Sequence, residues 1–286
     1  MNKLRLIAAL GVAAASAGAA TTIDPANRYT YGANLGWMDW RGNASQGAVI
    51  GEYVCSGYIY AANAGWINLG SGSPTNGIYY QNLSASDFGV NQDGLGNLRG
   101  YAYGANIGWV NFETTGAPKV DLVSGRLTGS VWSANCGWIS LSNLFAVLQT
   151  DTIAPGLLDT NGLPIAWELL NFGRTGIDPN ADPDHDGMSN MQEYLAGTDP
   201  NNPDSKLAIT DLATTLGGIS ATVSWLSVPT RYYYLQERLS LSPGSPWFDS
   251  GNGLIAPEGA TTTQTTVNTN APVRFYRVQA VRPLGY

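Results

Sequence analysis

The chain has 286 residues, enough for two or three modest domains that each bury a core of their own. Its formal charge is −7 and only 12% of its residues are charged, against about 25% in an ordinary globular protein, a balance that argues against nucleic acid and anionic membrane as partners. There is one histidine, His185, so a Ser/His/Asp triad, a Cys/His dyad or a His-based zinc site would have to be built inside the acidic loop that holds it.

At the start, Lys3 and Arg5, an apolar run and a small-residue stretch near Ala19 and Ala20 predict a secretory signal peptide over 1–20. Its removal takes away two cations and moves the charge from −7 to −9. No other run approaches the roughly 18 apolar residues that a spanning helix needs. The mature chain is therefore expected to be secreted, outside the cell or on its surface, with no membrane insertion. Cys55 and Cys136 are too few for a disulfide framework. An oxidising compartment allows one bridge between them, and two buried thiols acting as small hydrophobes are the alternative.

Residues 21–148 contain one motif four times: YTYGANLGWMDW, YIYAANAGWINL, YAYGANIGWVNF and SVWSANCGWISL. The central asparagines Asn34, Asn63, Asn106 and Asn135 are spaced by 29, 43 and 29 residues, the mark of a duplicated pair. Each copy alternates, meets a small-residue cluster and alternates again, which predicts a β-hairpin. In the third copy the turn would centre on Asn106, a residue type that tolerates left-handed backbone. Tyr103 then faces Trp109, Ala102 faces Val110 and Tyr101 faces Asn111. An upstream extension shared by the last two copies places Cys55 at the position of Leu98 and Leu127.

The hairpins have two chemically different faces. One is aliphatic and predicts the core. The other carries aromatic pairs, Tyr31 with Trp37, Tyr60 with Trp66, Tyr103 with Trp109 and Trp132 with Trp138. The simpler reading makes these a second packed layer, closing the repeats as a sandwich or stacking them as a solenoid. The sharper reading is an exposed aromatic ladder for sugar rings or another protein, favoured by the polar residue two after each tryptophan: Asp39, Asn68, Asn111 and Ser140. The copies resemble the repeated GYAWxxNxGWINF stretches of secreted bacterial proteins, which implies export and a β-rich fold and no catalytic residues.

From Asp151 to Asp204 there are ten acids and one base, Arg174. Unpaired, that run would repel itself; a bound cation removes the objection. Asp182, Asp184, Asp186, Met188, Asn190 and Glu193 fall at positions 1, 3, 5, 7, 9 and 12 of an EF-hand loop, with Gly187 at the sharp turn. These six are the predicted calcium ligands. An earlier degenerate copy, with Asp159, Asn161 and Glu168 offset by 25 from Asp184, Asp186 and Glu193, is a candidate second site. The segment 149–205 resembles thrombospondin type 3 and dockerin calcium repeats. That resemblance implies a calcium-rigidified connector, and adds Asp199 of GTDP as a further ligand.

Residues 206–286 return to short strands with Pro- and Gly-rich turns, predicting a small sandwich of roughly seven strands with Trp225 in its core. The runs VSWLSVPTRYYYLQ and RFYRVQAV resemble fibronectin type III-like domains. The expected fold class is thus mainly β: repeat hairpin domain, short α-containing connector, C-terminal sandwich. The expected function is a non-enzymatic, calcium-stabilised surface, matrix or adhesion protein, capable of self-association. The alternative is a carbohydrate-binding accessory protein whose partner is extracellular polysaccharide. An enzyme would need two carboxylates from Asp39, Glu52, Asp87, Glu113, Asp121 and Glu258, which nothing in the sequence pairs.

Overall fold

The structure, a computed structural model, describes residues 21–42, 44–215, 220–267 and 274–285; the signal peptide expected over 1–20 lies outside them. The protein is mainly β. β1 (Ile23–Gly32) pairs with β2 (Gly36–Asp39), and β3 (Ser56–Ala61) with β4 (Gly65–Ser71). After β5 (Val90–Gln92), β6 (Leu98–Gly104) pairs with β7 (Gly108–Asn111). After β8 (Lys119–Val120) and β9 (Arg126–Thr128), β10 (Ser130–Ser133) pairs with β11 (Gly137–Ser140). Tyr103 faces Trp109, Ala102 faces Val110 and Tyr101 faces Asn111, the register predicted from the alternation.

The repeats, expected as a sandwich or a solenoid, close on themselves. Each hairpin pairs with the next at the same offset: Met38 with Ala61, Ile67 with Gly104, Val110 with Ser133. Then Ile139 pairs with Gly32, and β11 joins β1. Four equal units at a constant stagger make an eight-stranded barrel with no free edge among those strands. Four inward positions recur at each level: Thr30, Ile59, Ala102 and Val131; Met38, Ile67, Val110 and Ile139; Trp40, Leu69, Phe112 and Leu141. They leave a void of only about 10 Å³, so the barrel is a packed core and no channel. The buried Trp40 indole donates to the Thr30 hydroxyl at 3.0 Å.

The turns differ from expectation in one respect. The left-handed residue is the glycine before each tryptophan, Gly36, Gly65, Gly108 and Gly137, at φ between 70° and 77°. The asparagine is therefore free for another task. Asn34 donates its side-chain N–H to the carbonyl of Cys136, Asn63 to Leu35, Asn106 to Ala64 and Asn135 to Ile107, at 3.0–3.1 Å. The four bonds run hairpin to hairpin around the end of the barrel.

Cys136 sits where the other turns have Leu35, Ala64 and Ile107, all buried plugs of that end. Cys55 lies in the same core with Leu98 and Leu127. The bridge that the compartment would allow is not formed: both thiols are free and buried, and burial pushes the Cys55 thiol up to about 12.

β12 (Leu148–Thr150) pairs with β1 and β9, and the Ala154 N–H donates to Ile50 O. The barrel unit thus runs a few residues past the boundary expected at 148. In the connector, α1 (Ile165–Phe172) and α2 (Asn190–Ala196) share a small core of Leu163, Trp167, Ile177 and Tyr194. The C-terminal unit has β13 (Ile209–Thr214), β14 (Ser220–Leu226), β15 (Tyr232–Arg238), β16 (Phe248–Asp249), β17 (Thr261–Val267) and β18 (Phe275–Val281). They form two three-stranded sheets, β13-β14-β17 and β16-β15-β18, around Val223, Trp225, Tyr233, Leu235 and Ile255. Roughly seven strands were expected, and six occur among the described residues. Among those residues no helix is long and apolar enough to cross a membrane.

Candidate functional site

The acidic loop Asp182–Glu193 is folded by its own chemistry. His185 takes φ 64° and Gly187 φ 97°, which lets the chain coil tightly enough to turn alternate carboxylates inward. The Gly187 N–H donates to Asp182, the Asp186 N–H to Asp184 and the Met188 N–H to Asp186. Ser189, unusual at position 8 of such a loop, is the N-cap of α2: its N–H donates to the Gln192 side chain at 2.8 Å and its hydroxyl accepts from the Gln192 N–H, a capping box. The helix thereby starts where Glu193 can reach back into the loop.

Asp182, Asp184 and Asp186 each offer an oxygen within 4.8 Å of the others. Asp182 Oδ1, Asp184 Oδ2, Asp186 Oδ2, Asn190 Oδ1 and both Glu193 oxygens are buried and meet no hydrogen-bond donor among the described residues. Burial, then the negative charges of Asp186, Asp184 and Asp199, push Glu193 up to about 7. Five carboxylate oxygens and one amide oxygen, hard donors left without hydrogen bonds, make this the cluster that could hold a metal ion. Of the predicted side-chain ligands, positions 1, 3, 5, 9 and 12 have their orphaned oxygens in this one loop. Position 7, Met188, would act through its carbonyl.

The degenerate copy has found another solution. Glu168, fully buried, accepts from Asn161 Nδ2 and from the Ile177 N–H, both at 2.9 Å. Asp159 accepts the N–H groups of Thr160 and Gly176, and Asn161 also donates to Ile177 O. The N–H groups of Thr160 and Gly176 hold Asp159 below the usual carboxylate range. Of that set only Glu168 Oε2 is left without a partner. Asp199 accepts the Asn201 N–H at 3.0 Å, and its negative charge acts on Glu193.

Helix α2 is also the hub of the molecule. Glu52, on the barrel, accepts from Tyr194 Oη at 3.0 Å and pairs with Arg231 at 3.3 Å and Arg282 at 3.1 Å, both from the C-terminal unit. Arg231 donates further to the carbonyls of Tyr194 and Leu195, the last turn of α2, where a cation also suits the helix dipole. A cleft of about 490 Å³ lies alongside, with Tyr53, Tyr79, Trp167 and Asp199 among its walls. Sequence reasoning missed this junction. Its only signal was that Glu52 is one of few charges in a charge-poor stretch.

On the barrel exterior the aromatic rings are exposed, contrary to the packed-layer reading: Trp37 and Trp138 at 51%, Trp66 and Trp109 at 45%, and Tyr31, Tyr60, Tyr103 and Trp132 at 39–41%. Each of three tryptophans is flanked by two tyrosines: Tyr29 and Tyr31 about Trp37, Tyr58 and Tyr60 about Trp66, Tyr101 and Tyr103 about Trp109, with centroids 4.9–6.2 Å apart. Phe88, from the loop that widens the second spacing to 43 residues, stands edge-on to Trp109 at 5.1 Å and walls a groove of about 420 Å³. A second groove, about 160 Å³, lies between Asn111, Glu113, Gly116, Trp132 and Trp138.

The polar residues that follow each tryptophan have local partners. Asp39, Asn68 and Asn111 accept the N–H two residues on, and the Ser140 hydroxyl donates to Ser142 O. The other carboxylates are engaged as well: Asp39 with Arg28 at 3.5 Å, Asp87 with the Thr75 and Gln81 N–H groups, Glu113 with Gly100 N–H, Asp121 with Ser124, and Glu258 with Thr263 N–H. No family model, curated protein or solved structure matches the chain, so the functional reading rests on this geometry alone.

Proposed function

We propose that the protein is an exported, non-enzymatic surface or matrix protein whose connector is stiffened by Ca²⁺. The observation that carries this reading is the convergence of orphaned, buried oxygens from Asp182, Asp184, Asp186, Asn190 and Glu193. Extracellular sites of this kind have Kd of about 0.1–1 mM and stay filled. A tenfold excess of calcium would stabilise the folded chain by about 1.4 kcal/mol, enough to order a connector. The capped helix, the loop and the junction at Glu52 then act as one staple between the barrel and the sandwich. The C-terminal unit, with its resemblance to fibronectin type III-like domains, serves as a spacer or adhesion module. Calorimetry on the mature chain tests this: one calcium ion should bind, and none after Asp184→Ala with Glu193→Ala. Absence of heat with millimolar calcium on the unaltered chain would refute it.

A second reading is favoured by a separate observation, the exposure of all four GW tryptophans. Flat apolar rings beside small polar groups, in a chain with only 12% charged residues, suit neutral sugar rings. In this reading the barrel holds polysaccharide and the remainder positions it. Retention on insoluble glycans and a change in tryptophan emission with soluble sugars are the expected results.

A further inference from the structure

The inter-hairpin register sorts the outward residues into four rows that cross the seams of the barrel. One row runs Tyr29, Asp39, Tyr60, Trp66. The next runs Tyr58, Asn68, Tyr103, Trp109. The third runs Tyr101, Asn111, Trp132, Trp138, and the last Ser130, Ser140, Tyr31, Trp37. In every row the aromatic pair belongs to one hairpin and the polar residue beside it belongs to the hairpin before. Neighbours in a row are directly opposite on paired strands, about 4.5–5.5 Å apart at Cβ, within reach of a single sugar ring.

The loop that leaves the preceding hairpin adds a wall. A Cβ placed on Gly42 would lie 3.4 Å from the Trp66 ring, and one on Gly116 would lie 3.1 Å from the Trp138 ring. At Trp109 the wall is Phe88. Three seams thus share one plan: an indole, an aromatic partner, a polar side chain from the previous strand, and a close loop. Asn68 and Asn111 use Oδ1 to hold their own loops, which leaves each amide nitrogen as a donor in its row.

Resting on the sugar-binding reading, we propose that each seam is a separate glycan site, and that the barrel therefore cross-links polysaccharide chains instead of lying along one. The reason is closure. Four equal hairpins around a ring turn their seams by about 90° from one to the next, so opposite platforms face away from each other. A stiff glycan on one platform cannot lie flat on the opposite one. The occupant is a neutral pyranoside chain: each platform offers one indole with one or two aromatic neighbours, too little for a protein interface of about 800 Å² per partner. Asp39, the charged member of the rows, is already paired with Arg28. Trp109 also borders the groove of about 420 Å³, which is lined by Phe88, Tyr101 and the 82–85 loop and not by Asn68 or Tyr103.

The test uses the full mature chain with calcium, and hexasaccharides of β-1,4-glucose, β-1,4-xylose, β-1,4-N-acetylglucosamine and β-1,3-glucose with the matching soluble polymers. Native mass spectrometry and titration calorimetry should show more than one hexasaccharide per chain, and the polymer should become turbid or gel. Trp109→Ala, whose side chain points outward and leaves the packed interior intact, should remove one site and spare the others. Asn68→Ala, on a different hairpin, should weaken that same site by roughly tenfold. A chain with all four of Trp37, Trp66, Trp109 and Trp138 changed to alanine should bind calcium as before and cross-link nothing. One bound hexasaccharide with no cross-linking would overturn the multivalent arrangement and leave the sugar reading standing. No binding of any probe overturns both.

Discussion

Glu168 and Glu193 occupy equivalent places 25 residues apart, both buried, and they differ in what their oxygens meet. Two N–H donors satisfy Glu168 Oε1, whereas neither oxygen of Glu193 finds a donor among the described residues. Calcium stoichiometry should therefore be one. Glu168→Gln should leave that number unchanged in calorimetry while lowering the melting temperature, because it disturbs a buried hydrogen-bonded group at a cost of about 1–3 kcal/mol. Stoichiometry falling to zero in Glu168→Gln would place a ligand where hydrogen bonds now stand. Asp87 supplies a pH test of a different residue. Both its oxygens accept backbone N–H groups, from Thr75 and from Gln81, and these bonds hold its pKa below the ordinary 3.8. A depressed carboxylate contributes stability that is fully present above the unfolded pKa and is lost as pH falls through the lower folded value. The loop 74–88, and with it the wall beside Trp109, should loosen below about pH 4. Hydrogen exchange of the Gln81 amide should accelerate there, and Asp87→Asn should show the faster rate already at neutral pH.

Within one hairpin the repeat was legible down to single pairs, since alternation and a small-residue cluster set which side chains oppose each other. The role of the central asparagine was not, because its partner is a carbonyl on another hairpin, 28 residues away for Asn63 and 102 for Asn34. Closure was hidden for the same reason: nothing local in β1 announces that β11 will pair with it. The acidic loop lies at the other extreme. All of its proposed calcium ligands fall within twelve consecutive residues, so their spacing alone suggests the chemistry. The aromatic face was ambiguous because alternation shows that two faces differ, not which of them water touches. Two substitutions separate the parts of the turn. Asn106→Ala removes one bond of the ring, worth about 1 kcal/mol. Gly108→Ala, at φ 70°, forces a side chain into left-handed backbone at about 1–2 kcal/mol. Being two residues apart in one turn, the two should not simply add. Denaturant titration should find both changes destabilising at constant m-value; a neutral Asn106→Ala would mean that the ring is a consequence of closure and no support for it.

Across the whole molecule, three units meet through one carboxylate. Glu52 is the counter-charge of Arg231 and Arg282 and the acceptor of Tyr194, so the barrel, α2 and the C-terminal unit share it. The C-terminal end adds a second tie: the Ile153 N–H donates to Leu284 O, and Leu284 and Tyr232 pack on the barrel core. Because α2 also carries Glu193, calcium bound to the loop as proposed would act at one end of a helix whose other end is clamped by Arg231. Loading the loop should therefore steady the junction as well as the connector. Glu52→Ala strands two largely covered guanidinium groups, at a cost of roughly 3 kcal/mol. Scanning calorimetry of the unaltered chain should show calcium raising the melting temperature of the barrel together with that of the other units. In Glu52→Ala the trace should split, with calcium shifting only the transition that contains the connector. A single transition, shifted by calcium as in the unaltered chain, would mean that the units are held by Leu284 and Tyr232 and that the charges at Glu52 merely fill the space between them.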